Sequence, residues 1–170
     1  MTSIWKETGF VDNDPWVIET DERKSGEGET PVLALATFLE RVEESNEGGF
    51  GVLIAPADDV TKLAPYLDRI ALVALVFPAF SDGRAFSHAS ILRGRLGYPG
   101  EMRAVGDILI DPIPLMLRSG FDSFAVTNEV ARRRLAEGQL PGIADHYQPA
   151  ARVTIAPGGY SWRRTSRTAG

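Results

Sequence analysis

Short apolar runs in the middle of this chain end, one after another, in side chains able to do chemistry. GVLIAP is followed by Asp58 and Asp59, and IALVALVFPAF by Ser81, Asp82 and Arg84. EMRAVG is followed by Asp107, and FDSFAV by Thr127 and Asn128. A carboxylate or an imidazole can move a proton, and a guanidinium holds oxyanions through paired N–H groups. If residues 84–96 are helical, Arg84, His88 and Arg95 fall at i, i+4 and i+11 and share one narrow stripe. That stripe flanks the apolar face made by Ala85, Ala89, Leu92 and Leu96. The candidate catalytic residues are therefore Asp82, Arg84, His88 and Asp107, with Asp107 or His88 as acid or base. Arg84 and Arg103 are the candidate anion-binding residues, for sulfate, sulfite or a phosphorylated metabolite met at a helix start. Arg103 stands inside a strand-like run, where a buried guanidinium needs a carboxylate or an anion as partner. Asp107, Asp82 and Glu101 are its internal candidates. Asp82, Arg84, Arg103 and Asp107 are expected to form one hydrogen-bonded cluster.

The same residue types also serve plain structural purposes. Asp, Ser and Asn at the start of a helix accept bonds from free backbone N–H groups. Asp58, Asp59 and Asn128 fit that reading, and Asp111-Pro112 fits N-cap and first helical position. His88 also reads as a packed histidine, and His146 as a loop residue. There is no GxGxxG, phosphate-loop or HExxH pattern and no nucleophile elbow. Asp58-Asp59 alone is a weak metal signal, so no metal is expected. The residues name no cofactor.

These residues need a frame that brings strand ends together. IWKETGFVDNDPWVIET reads as a β-hairpin around Asp12-Asn13-Asp14-Pro15, within residues 1–20. Residues 21–30 are charged, rich in Gly and Ser, and read as a mobile loop. Thr30-Pro31 fits the start of a helix reaching about Asn46, with Leu35, Phe38, Leu39 and Val42 on its apolar face. Strands and helices then alternate: helices over 58–68, 84–96, 112–119 and 128–138 separate strands at 49–56, 70–80, 101–107 and 121–127. This alternation predicts an α/β fold of repeated βα units around a mainly parallel sheet. The sheet is either an open doubly wound one or part of a (βα) barrel; the chain is too short for a full barrel. In both, ligands sit beyond the carboxyl ends of the strands. Residues 1–160 read as one domain, with a further β run at 152–156, and residues 161–170 as a tail.

The chain has 170 residues, net charge −5 and no cysteine. Disulfides and thiolate chemistry within the chain are excluded, and the charge gives no general reason to bind nucleic acid. The first residues lack a signal-peptide pattern, and no apolar run is long enough for a membrane span. The expected location is cytoplasmic. A half-barrel would leave an apolar face or strand edges open, so a homodimer is expected, covered in part by the hairpin or residues 141–160.

The segment FPAFSDGRAFSHASILRGRLGYPGEMRAVGDILID carries a resemblance. Phe77, Phe80, Ser81, Asp82, Gly83, Arg84, Phe86 and Ser87 form a first block. Leu92, Arg93, Arg95, Gly97, Tyr98, Gly100, Glu101 and the run Arg103 to Asp107 form a second. Gly120, Phe121, Asp122 and Phe124 form a third. In these blocks the chain resembles the bacterial domain-of-unknown-function family 934. It departs from the family pattern at Pro112, where Gln is common, and at Ser119, where Cys is common. The resemblance implies a setting in sulfate assimilation toward cysteine, because genes of this family commonly lie beside those for assimilatory sulfite reductase. It implies neither a reaction nor catalytic residues. Two expectations stand together. One is an accessory protein that docks on sulfite reductase or another enzyme of the pathway. The other is a small enzyme or binding domain for an anionic metabolite.

Overall fold

The computed structural model describes residues 2–141. The β run at 152–156, His146, the stretch 142–160 and the tail 161–170 lie outside them. The strands are β1 (Ser3–Lys6), β2 (Gly9–Phe10), β3 (Trp16–Ile18), β4 (Thr30–Ala34), β5 (Phe50–Ile54), β6 (Ile70–Phe77), β7 (Glu101–Gly106) and β8 (Ser123–Val126). The helices are α1 (Leu35–Glu44), α2 (Arg84–Ser90), α3 (Ile113–Arg118) and α4 (Glu129–Ala136). A 3₁₀ segment spans Val60–Arg69, and a π turn, Ile91–Arg95, extends α2.

All eight strands join one sheet in the order β2-β1-β8-β7-β6-β5-β4-β3. Strands β3 to β8 are parallel; β1 is antiparallel to both β8 and β2. From β3 onward each strand is laid beside the last in a single direction. Right-handed crossovers that never reverse direction put the helices they contain, α1, α2 and α3, on the same face. The doubly wound alternative needs one reversal, and this sheet has none. The result is a curled half-barrel with helices outside.

A length argument explains the curl. Residues Val11 to Pro15 connect β2 at one edge of the sheet to β3 at the other. Seven strand spacings in a flat sheet would span about 34 Å. Six Cα steps from Phe10 to Trp16 reach at most about 22 Å. The edges must therefore approach each other, and the connection lies as a strap across the concave face. Asp12 to Pro15 is thus not the hairpin turn expected from its composition. The hairpin is β1–β2, turning at Glu7-Thr8, and Asn13 uses its tolerance of positive φ (59°) within the strap.

Side-chain alternation divides the core. On β6, Val73, Leu75 and Phe77 point to the helices, where they meet Val52, Ile54, Met102, Ala104 and Phe124. Leu72 and Ala74 point into the concave face with Val32, Val105 and Ala125. Burial on both sides is why β6 is nearly continuous in apolar residues.

Three local expectations change. Thr30-Pro31 does not begin a helix; it opens β4, and α1 starts at Leu35 with no side-chain cap. Thr30 N–H donates to Pro15 O, and the β4–β5 pairing begins at Val32, so the N–H that Pro31 lacks falls outside that ladder. Asp111 does not cap α3: Pro112 occupies the cap position itself, with no capping side chain. Finally, α2 does not continue as a regular helix to Leu96. Leu96 N–H reaches back five residues to Ile91 O, and this wider turn rotates the residues after Ser90.

Candidate functional site

At the carboxyl ends of the strands, the acidic and amide candidates are bonded to loop or helix-start backbone. The Asp58 carboxylate accepts from Ala55 N–H, and Asp59 accepts from Thr61 N–H at the 3₁₀ segment. Asn128 accepts from Ala131 N–H and caps α4. Asp107 accepts from Phe80 N–H (3.1 Å) and so braces the loop between β6 and α2. Asp82 and Arg84 bind each other through a short charged contact of 2.6 Å. Bonds from the Arg84 side chain, then from its backbone N–H, hold the Asp82 carboxyl down to about 2. A carboxylate so acidic is a poor proton acceptor near neutral pH. His88 is buried on α2. Asp82, Arg84 and Asp107 therefore share one rim, but Arg103 is not with them.

In the π turn Arg93 is buried and Arg95 is exposed. The Arg93 side chain is 3% exposed. It donates to Gly120 O, Tyr98 O and Gly100 O and pairs with Asp122 at 2.6 Å. Asp122 in turn accepts from Met102 N–H. Arg93, Tyr98, Gly100, Gly120 and Asp122 thus form a clamp joining the π turn to the starts of β7 and β8. Burial, despite the nearby Arg93 charge, pushes the Tyr98 phenol up. Much of the second and third sequence blocks is explained by this clamp.

The concave face holds the other polar assembly. Its floor is apolar, formed by Val32, Leu72, Ala74, Val105 and Ala125. Trp16 lies against Gly51, where a Cβ would come within 2.8 Å of the indole ring. Arg103 rises from β7 into this space with its side chain 5% exposed. Its two terminal nitrogens take both oxygens of Asp14, from the strap, at 2.7 Å each. Nη2 also reaches Glu101 at 3.0 Å and Nε donates to Ser123 Oγ at 3.1 Å. Lys6 completes the set by pairing with Glu101 at 3.1 Å. Lys6 and Arg103 balance Asp14 and Glu101, so the network is neutral. Burial works against ionised Glu101, but the bond from Ser123 and the charge of Arg103 outweigh it, and its pKa falls. Burial likewise opposes charged Arg103, and Asp14 outweighs it, so that pKa rises.

Beside this network the concave face encloses a cavity of about 1200 Å³. Its mouth carries Arg23, Glu29, Glu129, Arg132 and Arg133, and the strap residues Val11 to Asp14 form one wall. The lining is therefore mixed, an apolar floor under many charged and polar side chains, and concave sites are where small molecules bind. Among the described residues no group of three or more His, Asp or Glu is placed to hold a metal ion. No helix among them is long and apolar enough to cross a membrane.

Sequence reasoning found Arg103 and Glu101 but missed Asp14, Lys6, Ser123 and Trp16. Asp14 is 89 residues from Arg103 and looks like an ordinary turn residue. Only the isolation of Arg103 in an apolar strand signalled that some carboxylate must reach it.

Residues 51–156 match the family described as bacterial protein of unknown function, domain-of-unknown-function family 934. The match covers more than half of the chain, and the chain belongs to this family. No curated protein and no solved structure matches it.

Proposed function

We propose that this member of the family is a binding accessory of assimilatory sulfite reduction, and that its working surface is the concave face of the half-barrel. One observation carries the choice of surface: a cavity of about 1200 Å³ with an apolar floor and a single deeply buried guanidinium. The rim at the carboxyl ends is a weaker candidate, since its charged groups are engaged with one another or with loop backbone. The setting in sulfate assimilation and a cytoplasmic location come from the family resemblance and the sequence, and belong to the same proposal. So do its partners: a sulfite reductase or another enzyme of the pathway, and a second copy of the chain at the short free edges β2 and β3.

A deletion strain grown with sulfate as sole sulfur source tests both parts. The expected result is slow growth, restored by cysteine or by the wild-type gene. Ala125→Phe, which fills the cavity floor, is expected not to complement, whereas Arg84→Gln is expected to complement. Normal growth of the deletion strain would refute the pathway. Full complementation by Ala125→Phe at equal protein level would refute the surface.

A further inference from the structure

The strap is fastened at both ends by backbone bonds. Val11 N–H donates to Ile4 O at 2.8 Å, and Pro15 O accepts from Thr30 N–H at 2.7 Å. Between those points, Asp12, Asn13 and Asp14 make no backbone hydrogen bond to the sheet. Among the described residues, what holds the middle of the strap down is one side chain, Asp14, on Arg103. Asp12 and Asn13 are exposed, so the strap has solvent on its outer side and the cavity on its inner side.

The arrangement at Arg103 is that of an occupied oxyanion site. A planar guanidinium presents two parallel N–H groups, a carboxylate fills them in bidentate fashion, and a serine hydroxyl supports the guanidinium from behind. Asp14 arrives from a segment with little other attachment, and it stands where a cavity begins. We propose that Asp14 is a stand-in for an external ligand. This rests on the reading of the concave face as the binding surface. The ligand is a small molecule with one carboxylate, sulfonate or sulfate head group and an apolar body. Its head group replaces Asp14 on Arg103, and its body lies on Val32, Leu72, Ala74, Val105 and Ala125. Displaced Asp14 moves into water with Asp12 and Asn13. The exchange keeps the buried network neutral, because one anion replaces another; a neutral or cationic ligand would leave Lys6 and Arg103 with only Glu101 to balance them.

Competition by Asp14 sets the apparent affinity. When a site is mostly in its self-occupied form, the observed dissociation constant rises in proportion to the inverse of the free fraction. Removing the stand-in should therefore tighten binding. Calorimetric titration of the full chain with octane-1-sulfonate, octan-1-ol and inorganic sulfate tests this. Octane-1-sulfonate is expected to bind one per chain and to prefer the protein over octan-1-ol. Asp14→Asn, which keeps the shape and removes the charge, is expected to bind octane-1-sulfonate about tenfold tighter or better. Inorganic sulfate should raise the melting temperature of Asp14→Asn more than that of the wild type. Arg103→Gln should lose the preference for the sulfonate over the alcohol.

If Asp14→Asn binds octane-1-sulfonate no tighter and sulfate stabilises it no more than the wild type, the stand-in is refuted. Equal binding of alcohol and sulfonate that Ala125→Phe abolishes would also refute it, while leaving the cavity as the binding surface. Binding that Ala125→Phe leaves unchanged, or no binding of any probe by either protein, would overturn both.

Discussion

Two arginines on the same helical segment behave in opposite ways, and each makes a prediction. Arg84 is largely exposed and bonds Asp82. A carboxylate whose folded pKa is depressed gains stability from its partner above its unfolded value and loses it as the pH falls through the folded one. For Asp82 that window runs from 3.8 down to about 2. A carboxyl-carbon NMR titration should therefore find Asp82 near the bottom of the carboxylate range. In Arg84→Gln it should move back toward 3.8. Arg93 is the buried case. Replacing it by Met leaves Asp122 and the Gly120 carbonyl without that partner, a type of change that costs about 3–5 kcal/mol. Arg95→Met, on the exposed side of the same turn, should stay within about 0.5 kcal/mol of wild type. Urea unfolding of the two variants measures the difference. The caps Asp59 and Asn128 were legible from residue type and position, because an N-cap needs only local chemistry. Arg93 was not, because most of what buries it, Gly120 and Asp122, lies far along the chain. The partner of Arg103 was not, because nothing local ties it to Asp14.

At the scale of elements, turns decide which side chains reach the interior. Gly106 ends β7 with φ +103°, and a Cβ there would run into the Phe77 carbonyl. Gly97 also has positive φ (66°), but a Cβ there meets nothing. Gly97→Ala should cost about 1–2 kcal/mol for its left-handed backbone alone. Gly106→Ala carries that cost and a backbone clash as well, and should be clearly the less stable of the two in thermal unfolding. The alternation of strands and helices from residue 50 onward was readable because hydrophobic periodicity is strong there. The start of β4 was misread for a physical reason. Thr-Pro suits a helix start locally, yet it is equally suited to a strand whose ladder begins one residue later.

For the whole molecule, the order of βα units implies a sheet wound in one direction, but the sequence does not reveal the direction of each step. The strap settles the shape, since its five residues must join the two edges. Self-association is tested by light scattering at micromolar concentration. Pairing at β2 or β3 predicts twice the 18.5 kDa chain mass, and a constant single mass would remove the homodimer. Because the crossover helices α1, α2 and α3 lie on the convex side, the concave face is where an apolar floor and a charged network meet an open cavity. The most direct test of that face as the working surface is an amide NMR map during titration with octane-1-sulfonate. Shifts at Ile4, Val32, Ala74, Val105, Ala125 and the strap, with Asp82, Arg84 and Asp107 unmoved, are the result predicted. Shifts confined to the Phe80–Arg84 loop and Asp107 would contradict it.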